Sequence, residues 1–436
     1  MQVGRMERHP DKQTLRVSGE RTDGPARSWA ADVGPGLVTL GSDNDPSGIA
    51  TYTLAGAWYR YDLLWVCVLS YPSMVALQLI SARVASITGK GLTDNMRQHY
   101  APVFFYFAVA RFLLANTFNI AVDILAMGTA VRAVAGGPVA LLSLLCGVAS
   151  LILQWCVPYA RYARIVQWLT LGMFAYAGVI LLLHVPWHAV AIRAFIPRMV
   201  WTKDYTTMVL ALFGTTMSPY LLFSQAEQEV EERQEHPSPG SSAGSNEELR
   251  KLRRDTLLRT ALSNAVALAI MLASAAAFQF SHYAPGEPVA LERVLEPLAH
   301  GFAPQVLGLA LLGSALLALP PLAGSAAQAA ASSFDWRHGE KRNTRIAVLL
   351  VAITAIGTAA AVALAMSGID PVTALYWSAL VNGMTITPVL ALLVLLSSKR
   401  EAVGDLVAHW SLRVLCWLAT IATGAVLIVH YVVEFV

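Results

Sequence analysis

Two polar interruptions in otherwise apolar segments decide the fold. The first reads GSDNDPSG at residues 41–48, and the second reads GTTMSP at residues 214–219. In each, a proline removes a backbone donor and restricts the residue before it, so a membrane-spanning helix must break there. Pro46 and Pro219 are five predicted spans apart. Matching breaks in the two halves of a chain are typical of transporters with inverted repeats, whose substrate site lies between the broken helices.

The composition of the 436 residues places these breaks in a membrane. Hydrophobic residues make up 56% and charged residues 14%, whereas a soluble protein of this size carries about 25% charged residues. This excludes a disordered protein, a nucleic-acid-binding protein and nearly all cytosolic enzymes. The four cysteines lie singly in apolar runs, which indicates neither a disulfide framework nor a thiolate metal site.

Eleven apolar stretches come near the roughly 20 residues that a bilayer crossing needs. We predict helices, because a spanning segment must satisfy its own backbone hydrogen bonds. They lie at about 32–59, 62–86, 101–132, 137–157, 161–184, 205–233, 255–281, 302–332, 344–367, 371–396 and 409–434. Pro320 and Pro321 interrupt the eighth stretch and leave its division open. The predicted fold is an all-α integral membrane protein with about 11 transmembrane helices in a five-plus-five inverted repeat.

The chain divides where its composition changes. The predicted parts are a cytoplasmic tail at 1–30, the first repeat (spans one to five) with broken span six at 31–233, a cytoplasmic linker rich in Pro, Gly, Ser and Glu at 234–250, the rest of the second repeat (spans seven to ten) at 251–400, and span eleven at 401–436. The tail has no signal-peptide core. Most Lys and Arg fall on the side of the N-terminus, which predicts a multi-pass protein of the cell inner (plasma) membrane with a cytoplasmic N-terminus.

The first interruption carries the chemistry. Asp43 and Asp45 would lie near the middle of the bilayer, where a lone carboxylate costs about 2.5–3.5 kcal/mol. An unwound segment frees carbonyl oxygens, and carboxylate with carbonyls is a hard-cation ligand set, so we expect Asp45 to bind a metal. Alternatively, Asp45 only caps the second half-helix through the amides of Ser47 and Gly48. For Asp43, which precedes the break, we favour a structural or vestibule role.

These stretches resemble a known family. The run GPG at 34–36 followed by DNDPSGIATYTLAGA, and the later run LISARVASITGKGL, are similar to the NRAMP divalent-metal transporters, whose first broken helix reads DPGN. Aligned on the prolines, the family's aspartate is Asp45, its asparagine position is Gly48, its methionine position is Ser218 and its histidine position is Tyr220. The pattern DNDPSGI, TTMSPY and SQAEQEVEE resembles the prokaryotic NRAMP-related magnesium transporters.

The resemblance implies a metal site. Its residues would be Asp45, the carbonyl oxygen of Thr215, the side chain of Ser218, and Gly48. Thioether sulfur favours transition metals, so a hydroxyl in its place favours a largely hydrated Mg²⁺, which keeps several waters. Further candidate site residues are Asn44, Met217, Tyr220 and Asn382. Met217 either turns its sulfur into the site or packs in the core.

Proton coupling would depend on other groups. The family co-transports protons through the second-break histidine and acidic residues on the third helix. Tyr220 does not titrate usefully near neutral pH, and Asn119 falls at an acidic position, so the resemblance implies uncoupled transport. Asp123 leaves a rearranged proton path open. Arg111 and Asp123 lie about 18 Å apart along one helix, so we expect each to pair with another helix.

The leading interpretation is a secondary transporter of the LeuT fold type for divalent cations, mainly Mg²⁺ and also Mn²⁺. The alternative is a proton-coupled Mn²⁺/Fe²⁺ symporter that uses Met217 as a soft ligand. No HExxH motif or intramembrane histidine cluster indicates an enzyme. We expect no resident cofactor, and the expected partners are the cation and the lipid bilayer. Neither a nucleic acid nor an obligatory protein partner is indicated, so we expect a monomer.

Overall fold

The computed structural model describes residues 41–235, 246–281, 283–334, 340–399, 401 and 409–435. The predicted tail at 1–30, the chain up to residue 40 and the middle of the 234–250 linker lie outside them. Within these ranges the chain is almost entirely helical and contains no β-strand. The helices are α1 (Pro46–Tyr59), α2 (Leu64–Thr88), α3 (Leu92–His99), α4 (Pro102–Ala135), α5 (Val139–Cys156), α6 (Tyr159–Val166), α7 (Phe174–Leu182), α8 (Trp187–Phe195), α9 (Lys203–Thr216), α10 (Pro219–Glu235), α11 (Asn246–Ala277), α12 (Glu296–Ala299), α13 (Ala303–Ser333), α14 (Glu340–Ser367), α15 (Pro371–Ser398) and α16 (Trp410–Phe435).

The predicted all-α membrane fold is confirmed. In the described ranges, nine helices are long and apolar enough to cross a membrane, with α9 and α10 counted together as Lys203–Arg233. The stretch predicted at 161–184 forms α6, a 3-10 turn at Leu169–Met173, and α7. Of the first predicted span, the structure describes the part from residue 41 onward.

The first span breaks where its proline predicts. Residues 41–43 are helical, residues 44 and 45 are not, and α1 begins at Pro46. Proline suits the first position of a helix, because the N–H that it lacks would have no partner there. Asp45 has extended backbone angles (φ −64°, ψ 168°) and caps α1 with its side chain. The helix is therefore interrupted at a carboxylate.

The second break is equally short. The helix α9 ends at Thr216, Met217 leaves helical geometry (φ −118°, ψ 40°), and α10 begins at Pro219. The breaking residues are thus Met217 and Ser218, so both predicted helix breaks are confirmed.

Two glycines bring α9 and α15 together backbone to backbone beside the second break. A Cβ atom on Gly214 would lie 2.0 Å from the carbonyl oxygen of Ala379. A Cβ atom on Gly383 would lie 2.1 Å from the carbonyl oxygen of Leu210. Small residues permit such close approach between membrane helices. This packing fixes where the polar residues of α15 stand relative to the second break.

The eighth predicted span is one helix despite its two prolines. Pro320 and Pro321 lie inside α13 and leave the carbonyl oxygens four residues earlier without their usual amide donors. The hydroxyl of Tyr162 donates to the carbonyl oxygen of Leu316 at 3.0 Å, and the hydroxyl of Tyr159 donates to that of Leu317 at 3.2 Å. These two tyrosines of α6 allow α13 to continue.

Candidate functional site

Asp45 is buried at the first break and accepts three hydrogen bonds. Its Oδ1 accepts from the hydroxyl of Ser47 at 2.7 Å and from the amide of Gly48 at 2.8 Å. Its Oδ2 accepts from Nδ2 of Asn119 on α4 at 2.8 Å. The capping contacts of the alternative interpretation are therefore present. The bond to Asn119 ties the same carboxylate to a second helix, which capping does not require.

Asn119 connects the first break to α15. Its Nδ2 is used by Asp45, and its Oδ1 accepts from the hydroxyl of Ser378 and from Nδ2 of Asn382 at 3.5 Å. All four side chains are buried. The candidate Asn382 therefore belongs to the network of Asp45 through Asn119. Ser378 was missed by the sequence reasoning, although its i, i+4 spacing from Asn382 was the available signal.

The other two polar residues of the first break face α11. Nδ2 of Asn44 donates to Oγ of Ser263 at 3.0 Å and to its carbonyl oxygen at 3.4 Å. Asp43 also bonds the side chain of Ser263, and Arg259 acts on it electrostatically. Asn44, a candidate ligand, thus has its amide turned toward Ser263 rather than toward Asn119. Asp43 lies on the other side of the break from α1 and is partly exposed.

Thr215 and Ser218 line the second break, but their hydroxyls are engaged locally. The Ser218 hydroxyl donates to the carbonyl oxygens of Gly214 at 2.8 Å and Thr215 at 3.1 Å. A carbonyl oxygen has two lone pairs, so that of Thr215 keeps one acceptor position. Tyr52, one turn beyond Gly48 on α1, interacts with the side chain of Thr215. No hydrogen bond of the described residues joins Asp45 directly to Thr215 or Ser218.

Met217 faces α2. Its side chain lines a cavity of about 10 Å³ together with Met74, Gln78 and Ser218. Such a volume holds about one water molecule. Asp45 does not line this cavity. Met217 therefore shares this cavity with Ser218, and no cavity or hydrogen bond of the described residues joins it to Asp45.

Tyr220 links the two breaks. Its hydroxyl donates to the carbonyl oxygen of Ser42, in the helical turn before the first break. The side chain is buried. The candidate Tyr220 therefore bonds the backbone just before the first break, and its hydroxyl is directed to Ser42 rather than to the carboxylate of Asp45.

Two intramembrane charges on α4 behave differently from what their sequence suggests. Asp123 is fully buried, and neither of its carboxylate oxygens has a hydrogen-bond partner in the described chain. Arg111 packs its guanidinium over the ring of Phe107, one turn away on the same helix. The expectation that Asp123 pairs with another helix is wrong for the described residues, because no donor side chain reaches it.

The site has an unusual ligand chemistry for a metal. Within the described ranges, no group of three or more His, Cys, Asp or Glu side chains could hold an ion. Around Asp45 the breaks offer one carboxylate, the Thr215 carbonyl oxygen and neutral hydroxyl and amide groups, while the second carboxylate, Asp43, interacts with Ser263 and Arg259. Such a set suits an oxygen-preferring cation that keeps much of its water.

Comparison with known proteins gives the family context. Residues 36–433 match the family described as natural resistance-associated macrophage protein-like. A divalent metal cation transporter MntH of Klebsiella pneumoniae is 24% identical over 409 residues, covering 92% of this chain and 94% of the relative. The manganese transporter of Eremococcus coleocola has a similar structure, with a TM-score of 0.70, 17% identity and coverage of 95% of this chain and 89% of that one.

The fold similarity extends beyond that family. Mhp1, a nucleobase-cation-symport-1 family transporter solved in a closed conformation, superposes with a TM-score of 0.58 at 12% identity, covering 91% of this chain and 90% of that one. At this identity the likeness concerns the fold alone. It confirms the predicted arrangement of the LeuT type.

Proposed function

The chain belongs to the natural resistance-associated macrophage protein-like (Nramp) family of divalent metal cation transporters, and on this premise we propose that it carries mainly Mg²⁺, and also Mn²⁺, without coupled protons. The cation would pass between the two helix breaks as a largely hydrated ion. The proposed site residues are Asp45, the Thr215 carbonyl, Ser218 and Gly48, with Asn382 held nearby through Asn119. The observation that carries the proposal is that Asp45 is the one carboxylate in the hydrogen-bonded network of Asn119, Ser378 and Asn382.

The hydrogen bonds of Asp45 support a hydrated cargo. A carboxylate has about four lone-pair positions, and Ser47, Gly48 and Asn119 already use three. A cation that shed its water would need to displace these donors or find other strong ligands. Mg²⁺ gives up water reluctantly, and its bound waters can donate to Asp45 and to the Thr215 carbonyl. Gly48 adds no side chain that would narrow this space.

The position of Met217 argues against the soft-ligand alternative. Its side chain lines the cavity with Met74 and Gln78, whereas Asp45 faces Asn119. A site that selects Mn²⁺ or Fe²⁺ through sulfur would need the thioether beside the carboxylate. The groups that bond Asp45 are a hydroxyl and two amides, and no hydrogen bond or cavity of the described residues joins Asp45 to Met217.

The network also supports uncoupled transport. Asn119, Ser378 and Asn382 are neutral at all physiological pH values. Tyr220 is engaged with the Ser42 carbonyl. Apart from Asp45, this network offers no carboxylate or imidazole to move a proton with the ion. The driving force would then be the cation gradient and the membrane potential, about 2.3 kcal/mol per charge per 100 mV.

The remaining parts of the proposal concern orientation and assembly. We infer a cytoplasmic N-terminus from the placement of Lys and Arg, which puts the 283–302 loop outside. We further infer that the protein acts as a monomer, because both breaks lie in one chain.

The test is uptake by the full chain in liposomes that hold a Mg²⁺-sensitive dye and a pH-sensitive dye. Asn is as good a helix cap as Asp, so Asp45→Asn keeps the cap and removes the charge. We expect saturable Mg²⁺ entry without acidification in the native protein and at least a tenfold slower entry in Asp45→Asn. Asp204→Asn, on the exposed start of α9, is the matched control and should keep native uptake.

Two results would contradict the proposal. Native uptake by Asp45→Asn would show that the carboxylate only caps α1. Mn²⁺ entry with acidification and no Mg²⁺ entry would favour the proton-coupled alternative, in which Met217 would be the next residue to change.

A further inference from the structure

Asp123 is a buried carboxylate for which the described structure provides no partner. Its exposed fraction is 0%, and both Oδ1 and Oδ2 lack a hydrogen-bond donor. Burial of an unpaired carboxylate is expensive in a protein interior. Within a membrane span it is a functional-site candidate, because such residues usually face a partner or a pathway for ions. None of the described residues donates to this carboxylate to offset the cost, whereas a bound cation would offset it.

The position of Asp123 is defined by Asn119. Residues four apart lie on one face of a helix, so Asp123 stands one turn beyond Asn119, about 6 Å along α4. Asn119 itself bonds Asp45. In a chain that crosses the membrane in alternate directions, α1 and α4 run the same way, so Asp123 is displaced toward the end of α1. On the proposed orientation this is the outer side.

The charge around these two carboxylates is unbalanced. The charge that acts on Asp123 is that of Asp45, which has the same sign. The ionised form of Asp45 is stabilised by hydrogen-bond donors and not by a basic side chain. Two neighbouring carboxylates would be neutralised together by one divalent cation.

We propose that Asp123 is a second cation-binding carboxylate of the transport pathway, one helical turn outward of Asp45, where a hydrated divalent cation binds before it reaches the helix breaks. This inference rests on the proposed function. It adds a site that the resemblance did not supply, since the departure at Asn119 removes an acid and Asp123 provides one a turn away. The cation keeps its waters at Asp123, and Asn119, which bonds Asp45, lies one helical turn further along its path.

The experiment measures cation uptake kinetics of the full chain in liposomes, with Mg²⁺ and, separately, Mn²⁺ as probes. Asp123→Asn preserves the size of the side chain and removes its charge, and Asp123→Glu keeps the charge. We expect Asp123→Asn to raise the KM for both cations about tenfold and Asp123→Glu to stay within about threefold of the native KM. Asp204→Asn removes a surface carboxylate and should leave the KM unchanged.

The outcomes separate this inference from the proposed function. If the native protein carries no divalent cation, the proposed function fails. If the native protein transports and Asp123→Asn has the native KM, Asp123 is a neutral core residue and the inference is overturned. Should Asp123→Asn fail to fold, Asp123→Ser and Asp123→Glu provide the comparison, with a raised KM expected only for Asp123→Ser. A native KM in Asp123→Ser would also overturn the inference.

Discussion

Tyr220 donates its hydroxyl hydrogen to the backbone carbonyl oxygen of Ser42, so a residue of the second break completes the hydrogen bonding of the first. In a continuous helix the carbonyl oxygen of Ser42 would accept from the amide four residues later. That residue is Pro46, which has no N–H. The proline that breaks the first span thus creates the acceptor that Tyr220 satisfies.

The same relationship recurs at three other prolines. The carbonyl oxygen four residues before Pro219 belongs to Thr215 and accepts from the hydroxyl of Ser218. The carbonyl oxygens of Leu316 and Leu317 lie four residues before Pro320 and Pro321. They accept from the hydroxyls of Tyr162 and Tyr159. Water is scarce at this depth, and an unpaired buried carbonyl costs free energy. Hydroxyl side chains therefore take the place of the missing amides.

Removing the hydroxyl of Tyr220 should uncouple the two breaks. In Tyr220→Phe the Ser42 carbonyl loses this donor, which should lower the free energy of unfolding by about 1 kcal/mol and slow Mg²⁺ uptake severalfold. Thermal unfolding in detergent and uptake in liposomes measure the two effects. Tyr283→Phe is the control, because the hydroxyl of Tyr283 has no hydrogen-bond partner among the described residues. Native stability and native uptake in Tyr220→Phe would show that this bond has no role.

Removing the donor that orients Asp45 should weaken cation binding. Asn119→Ala deletes the 2.8 Å bond to Oδ2 and frees Ser378 and Asn382. A hydrogen bond to a charged group is worth about 1.5–3 kcal/mol, so the Mg²⁺ dissociation constant should rise at least tenfold by titration calorimetry.

Asn116→Ala is the matched control for that prediction. Asn116 lies on the same helix and bonds the carbonyl oxygen of Leu322 at 3.1 Å, so its loss should lower stability and leave Mg²⁺ affinity within about twofold of native. Equal losses of affinity in both variants would mean that Asn119 acts through folding alone.

A thioether at Ser218 should change the selectivity of the site. Ser218→Met places sulfur at the family's methionine position, and sulfur favours Mn²⁺ over Mg²⁺. We expect the ratio of Mn²⁺ to Mg²⁺ uptake to rise about tenfold in competition assays. Met217→Leu, which removes the native thioether that faces α2, should leave the ratio unchanged. A lower ratio in Met217→Leu would show that Met217 is the soft ligand.

The sequence predicts the breaks because their cause is local. Pro46 and Pro219 stop helices by their own covalent structure, and Asp45 is a preferred capping residue. The partners of Asn119 are not local, since Ser378 is 259 residues away and their meeting depends on how α4 packs against α15. The place of α15 beside the second break likewise depends on a distant contact, the close approach of Gly214 on α9 to Gly383 on α15. The sequence around these two glycines does not distinguish them from the other glycines of the chain.

The continuity of α13 also depends on contacts that local sequence does not predict. Pro320 and Pro321 predict an interruption by local rules, yet the helix continues from Ala303 to Ser333. The explanation lies in Tyr159 and Tyr162 on another helix. Their i, i+3 spacing gives them the reach to donate to two successive carbonyl oxygens. The sequence near the two prolines does not predict these partners.

This arrangement predicts that the two tyrosines stabilise α13 together. Tyr162→Phe and Tyr159→Phe should each lower the free energy of unfolding by about 1 kcal/mol, because each leaves one proline-orphaned carbonyl without its donor. Thermal unfolding of the full chain in detergent measures this, with Tyr283→Phe again as the control. Pro320→Ala in the Tyr162→Phe background supplies an amide for the Leu316 carbonyl and should recover most of the loss. If Pro320→Ala rescues nothing, the tyrosine hydroxyls stabilise the protein by some contact other than the carbonyls that the prolines leave open.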